Sequence, residues 1–148
     1  MFGWTFANDT GLTGQYSDLL FAGIDGAPAQ HMYEGTFAYC KNITSSISKD
    51  FFGKINGNAA QNMFASTFFN SGISGNIPEG LFADITGEPQ PDMFNGMFYN
   101  CDNLTGKIPG NLFQNIKGTP VNESFAYMFE ECSGLTGFVP PELFAGID

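Results

Sequence analysis

Few side chains in this sequence carry reactive chemistry, and they do not gather. His31 is the single histidine, so no second imidazole can share a metal or a proton with it. Cys40, Cys101 and Cys132 are three cysteines spread along the chain. That spacing supplies no tetrahedral ligand cluster, and an odd count excludes a fully paired disulfide framework. A Cys101–Cys132 disulfide is open if the two Cα atoms approach within about 7 Å; otherwise the three are buried thiols. No Gly-x-Ser-x-Gly elbow occurs, and no phosphate loop ends in Gly-Lys-Ser/Thr. Glu130-Glu131 is a pair of solvated neighbours. The expectation is therefore a non-enzymatic chain that needs no metal and no cofactor.

Charge narrows the partners. The chain has 148 residues, a net charge of −10, five basic residues that are all lysine, 17 Phe and 19 Gly. Such an acidic chain lacks the positive footprint that phosphate neutralisation requires, so nucleic acid is not an expected partner. Anionic membranes repel it equally, and no apolar run of 18 residues allows direct insertion. Sequons stand at Asn8, Asn42, Asn103 and Asn122.

What must position these residues is a repeat. Thr105-Gly106 recurs 31 residues later as Thr136-Gly137, and Leu112-Phe113 as Leu143-Phe144. Starts fall near Met1, Met32, Met63, Met93 and Ser124, so residues 1–148 read as one solenoid of about five coils, part of a longer array or a stacking unit. Tyr33, Thr36, Phe37 and Cys40 lie at i, i+3, i+4 and i+7, as do Phe94, Met97, Phe98 and Cys101, and Phe125, Met128, Phe129 and Cys132. This spacing predicts the longer α-helix of each coil. Gly11, Asn42, Gly72, Asn103 and Gly134 follow it and read as left-handed C-caps.

A five-residue strand comes next, as in Leu104 to Ile108. Its inward columns are Leu12, Ile43, Ile73, Leu104, Leu135 and Tyr16, Ile47, Ile77, Ile108, Val139. The small residue between them (Gly106, for example) makes room for Phe98 and its equivalents. Leu-Phe and an Ile three residues on predict a second, short helical turn that stops at Gly26, Gly57, Gly87 or Gly118.

The pattern Phe98-x-x-Cys101-x-x-Leu104, repeated at Phe129, Cys132 and Leu135 and followed by Ile108-Pro109, resembles leucine-rich repeat proteins of the BspA-like bacterial surface type. Asn103 to Pro109 is also similar to the Leu-Thr-Gly-x-Ile-Pro segment of plant-type leucine-rich repeats. The period of 31 exceeds the usual 20–29. The resemblance implies a curved α/β solenoid with short parallel strands. It also implies an extracellular or cell-surface location and a role in adhesion or recognition.

Two outward columns of the strands remain for function: Thr13, Thr44, Ser74, Thr105 and Thr136, and then Gln15, Ser46, Asn76, Lys107 and Phe138. The first is uniformly Thr or Ser, while the second varies. A varied column on a regular frame is where recognition of a protein or glycan is written. A hydroxyl ladder that merely solvates a sheet face is the alternative. A third reading is structural, with copies stacked end to end in a filament, stalk or surface layer, because neither end carries a polar capping coil.

Overall fold

The computed structural model describes residues 1–17 and 19–148. Residues about 31 apart in sequence become hydrogen-bonded neighbours, and the coils stack on one another. The coil-to-coil bonds are densest in the five segments expected to be helical, 2–9, 31–40, 62–71, 92–101 and 123–132. Yet the described residues contain no helix. The longer helix of the expected α/β architecture does not form.

A chain of nested turns replaces it. In residues 33–40 the N–H of Thr36, Ala38 and Cys40 donates to the carbonyl three residues back (3.0–3.3 Å). The N–H of Tyr33, Gly35, Phe37 and Tyr39 instead leaves the segment and donates to Met63, Ala65, Thr67 and Phe69 of the next coil (2.7–2.9 Å). The same alternation joins Phe64, Ser66, Phe68 and Asn70 to Met93, Asn95, Met97 and Tyr99. An α-helix would direct every N–H to its own i−4 carbonyl; here half of them hold the next coil. At about 0.5–1.5 kcal/mol net for each bond, every coil interface gains several kcal/mol from this lane alone.

The turns close because every fourth residue takes a positive φ. His31, Gly35 and Tyr39 do so in one coil, Asn62, Ser66 and Asn70 in the next, and Asp92, Gly96 and Asn100 in a third (φ 52–62°). The apolar pairs thus repeat every 4 residues rather than every 3.6, and i, i+4 spacing alone does not separate the two. The cap column is also corrected. Gly11, Asn42, Gly72, Asn103 and Gly134 have no positive φ. Gly72 and Gly134 are glycine because a Cβ there would collide with the carbonyls of Lys41 and Ile43, or of Asp102 and Leu104. Asn42 and Asn103 donate through Nδ2 to the carbonyls of Thr10 (2.7 Å) and Gly72 (3.5 Å) in the preceding coil.

The short helical turn is absent as well. Single turn bonds, such as Ala22 to Leu19 and Ile24 to Phe21, lead into extended backbone. There β1 (Asp25–Gly26) pairs with β2 (Lys54–Ile55), and β3 (Gly57–Asn58) with β5 (Ile85–Thr86), all parallel. Across the coil, β4 (Gly75–Asn76) pairs in parallel with β6 (Leu104–Thr105). Isolated parallel bridges Gly14–Ile43, Ser46–Ser74 and Gly106–Leu135 continue that lane.

Between the lanes, phenylalanine fills the core as stacked columns. Phe2, Tyr33, Phe64, Phe94 and Phe125 lie ring on ring at 5.4–5.8 Å, with interplanar angles of 4–22°. Phe6, Phe37, Phe68, Phe98 and Phe129 form a second column at 5.2–5.9 Å. Phe82, Phe113 and Phe144 form a third. A ring is wide and flat enough to meet its equivalent one coil away, which accounts for the choice of Phe over Leu.

Candidate recognition face

Strand geometry sorts the candidate residues by alternation. Ile43, Ser45 and Ile47 are buried while Thr44 and Ser46 between them are exposed. Thr13, Gln15, Asn76, Thr105, Lys107, Thr136 and Phe138 are likewise exposed, and Ser74 is half-buried. The two columns therefore share an outer surface. It extends from coil to coil, and Thr13 and Gln15 lie at the opposite end from Thr136 and Phe138.

Local contacts hold this face in a fixed arrangement. Ser74 Oγ donates to the Thr44 carbonyl (2.8 Å), Thr105 Oγ1 to Asn76 Oδ1 (3.2 Å), and Thr136 Oγ1 to the Gly106 carbonyl (3.2 Å). Lys107 Nζ sits 6.0 Å from the centre of the Phe138 ring, at the outer limit of a cation–π contact. Phe138 is nevertheless 72% exposed and Val139 65%, which gives this end an apolar patch beside a cation. Each Thr hydroxyl keeps a lone pair after donating, so the column can still accept from a ligand.

The small residue inside the strand serves a different purpose from the one expected. Gly14, Gly75, Gly106 and Gly137 have φ of 77–88°, which a side chain rarely adopts. A Cβ on Gly106 would meet Asn76 Oδ1 at 2.6 Å rather than Phe98. Glycine is there for the backbone. Ser45, the exception, uses its buried Oγ to accept the N–H of Tyr16 (2.6 Å).

The cysteines are free and structural. Cys40, Cys101 and Cys132 each direct Sγ to a carbonyl of the preceding coil, Phe6 (2.9 Å), Phe68 (3.0 Å) and Phe98 (2.9 Å). Desolvation pushes the Cys101 thiol up to about 12 and raises those of Cys40 and Cys132. All three stay protonated donors, the opposite of an activated nucleophile. His31 Nδ1 lies 2.7 Å from Glu34 Oε2. No group of three or more His, Cys, Asp or Glu among the described residues could hold a metal. No helix among them is long and apolar enough to cross a membrane.

Two features escaped the residue pattern. On the outside of the turn lane Phe69 stacks on Tyr99 at 4.6 Å and meets Tyr39 at 5.3 Å with the rings tilted by 52°; their 30-residue spacing was the available signal. A hollow of about 560 Å³ is lined by Glu79, Asn111, Gln114, Lys117 and Glu142 among others, and contains none of the ten face residues. A smaller cleft of about 250 Å³ lies beside Thr13 and Gln15, with Phe6, Leu12 and Phe37 in its wall.

No family model matches the chain, and neither a curated protein nor a solved structure matches it.

Proposed function

We propose that the chain is a non-enzymatic scaffold that recognises a protein or glycan partner through its outward strand face. The observation that carries this reading is the division of labour within each strand. Ile43, Ser45 and Ile47 are committed to the interior, while Thr44 and Ser46 are exposed. Along the face, hydroxyls and amides alternate with Lys107 and the exposed Phe138, a mixture suited to hydrogen-bonded and ring-stacked contact. The extracellular or cell-surface location implied by the resemblance to BspA-like leucine-rich repeat proteins belongs to the same proposal. Nucleic acid and the bilayer interior are not proposed partners.

Protein and glycan arrays probed with the chain test this. Bound partners are expected, with binding reduced at least tenfold by Thr105→Arg and measurably weakened by Phe138→Ala. A chain that captures nothing, or variants that bind as the parent does, contradict the reading.

A further inference from the structure

One column of the turn lane brings two of the three thiols together. Asp9, Cys40, Ser71, Cys101 and Cys132 occupy the same place in successive coils. Cys40 therefore has Asp9 and Ser71 for neighbours, whereas Cys101 and Cys132 are adjacent members. The coils that carry them are joined by direct backbone bonds, Phe98 N–H to the Met128 carbonyl (3.0 Å) and Asn100 N–H to that of Glu130 (2.9 Å). Chains bonded side by side in this way lie ~4.7–4.9 Å apart, inside the ~4.4–6.8 Å that separates the Cα atoms of a disulfide. Packed helices would have held the same residues ~8–10 Å apart. The side chains also converge. Cys132 Sγ donates to the Phe98 carbonyl at 2.9 Å, and the Cys101 N–H donates to that same oxygen at 3.2 Å. One coil earlier, Ser71 Oγ and Cys101 Sγ are 3.9 Å apart, which measures the side-chain spacing of this column. The proximity is felt by the Cys101 thiol, which a charge on Cys132 raises further.

From this geometry we infer that Cys101 and Cys132 are the two halves of a latent disulfide, which forms within one chain on exposure to a small-molecule disulfide. The thiolate of one cysteine attacks the small disulfide, forms a mixed disulfide and releases one small thiol. The second cysteine's thiolate then attacks the protein sulfur of that mixed disulfide and expels the other half. Two electrons and two thiol protons leave the protein, and the two small thiols carry them away. No buried group is orphaned by the exchange. The Phe98 carbonyl keeps the Cys101 N–H, and the Phe68 carbonyl, which accepts from Cys101 Sγ at 3.0 Å, keeps the Ser71 N–H at 3.1 Å. Desolvation holds both cysteines in the thiol form, so the exchange is slow. The bond staples the two coils that carry Thr105, Lys107, Thr136 and Phe138, and it forms whatever that face binds.

Prolonged incubation of the folded chain with excess glutathione disulfide at mildly alkaline pH tests this. The products are unfolded in the presence of N-ethylmaleimide and mapped by peptide mass spectrometry without reduction. The expected product is a single chain that takes up one maleimide, at Cys40, with the peptides of Cys101 and Cys132 joined. Three alkylated cysteines, mixed disulfides with glutathione as the end product, or a link that involves Cys40 or a second chain overturn the inference. Cys132→Ser puts in this column the residue that already stands there as Ser71, and the variant is expected to fold and to form no internal link. An internal link in that variant overturns the pairing. The linked parent is expected to melt several degrees above the reduced chain and to return to the reduced midpoint after treatment with a dithiol. A linked chain that melts no higher counts against a staple fitted to this geometry.

Discussion

The turn lane and the strand lane run along opposite sides of one aromatic core, and they use sequence differently. In the turn lane nearly every residue is constrained. Thr36, Phe37 and Ala38 are all buried, Gly35 and Tyr39 hold a left-handed backbone, and alternate N–H groups bind the next coil. In the strand lane only every other residue is constrained, and Thr44, Ser46, Asn76, Thr105 and Lys107 project outward. Backbone cohesion is thus concentrated on one side, and outward side chains are left unconstrained on the other. Substitutions can tell the two apart.

The largest effect belongs to the core that both lanes share. Phe98 is fully buried and stacks on Phe68 and Phe129 at 5.9 and 5.8 Å. Phe98→Ala is expected to cost about 3–5 kcal/mol, read from denaturant unfolding. An unchanged midpoint would remove that column from the stability of the fold. Gly72→Ala follows, at about 1–3 kcal/mol, because the added methyl must displace the Lys41 and Ile43 carbonyls, which are backbone and cannot swing aside. A neutral outcome there would mean that neighbouring coils do not approach as closely as described.

Alkaline pH weakens the thiol column. The Cys101 thiol is raised to about 12 from an ordinary value of 9, and Cys40 and Cys132 move in the same direction. Between those values the unfolded chain loses protons that the folded chain retains. For Cys101, stability is therefore full below pH 9 and falls as pH climbs toward 12, by up to about 1.4 kcal/mol per pH unit. Melting curves over that range should show the decline, and Cys101→Ala should make it shallower. An identical slope in the variant would separate the thiol from the effect.

The smallest change is a gain. Ser66 has φ 53° at a position where Gly35 and Gly96 stand in adjacent coils. Ser66→Gly is expected to stabilise by up to about 1 kcal/mol, since glycine enters this conformation without a Cβ clash. A loss of stability would show that the Ser66 side chain matters more than its backbone.

These contrasts also mark how far the sequence could be read. The 31-residue interval set out which residues would be neighbours, and the period of two in Ile43 to Ile47 placed Thr44 and Ser46 on the outside. The helices failed for a physical reason. Tyr33 and Phe37, or Phe94 and Phe98, satisfy periods of 3.6 and 4 equally, and apolar residues alone cannot choose between them. The discriminating signal lay in the polar residues between. Asn62, Ser66 and Asn70, then Asp92, Gly96 and Asn100, place left-handed formers four apart, where a helix would tolerate them poorly. Cys40 and Cys101 were legible as buried, but their carbonyl partners one coil away were not, because such a bond depends on the turn geometry.

The most direct test of the account sets one lane against the other in a single binding experiment. Thr105→Arg alters the display side, and Tyr39→Ser alters the exposed outer strip of the turn lane, where Tyr39 is 38% exposed. Both variants are compared with the parent on the same partner arrays, at matched thermal stability. The account predicts that Thr105→Arg loses the bound partners and Tyr39→Ser keeps them. Retention by Thr105→Arg with loss in Tyr39→Ser would contradict it and move recognition to the turn lane.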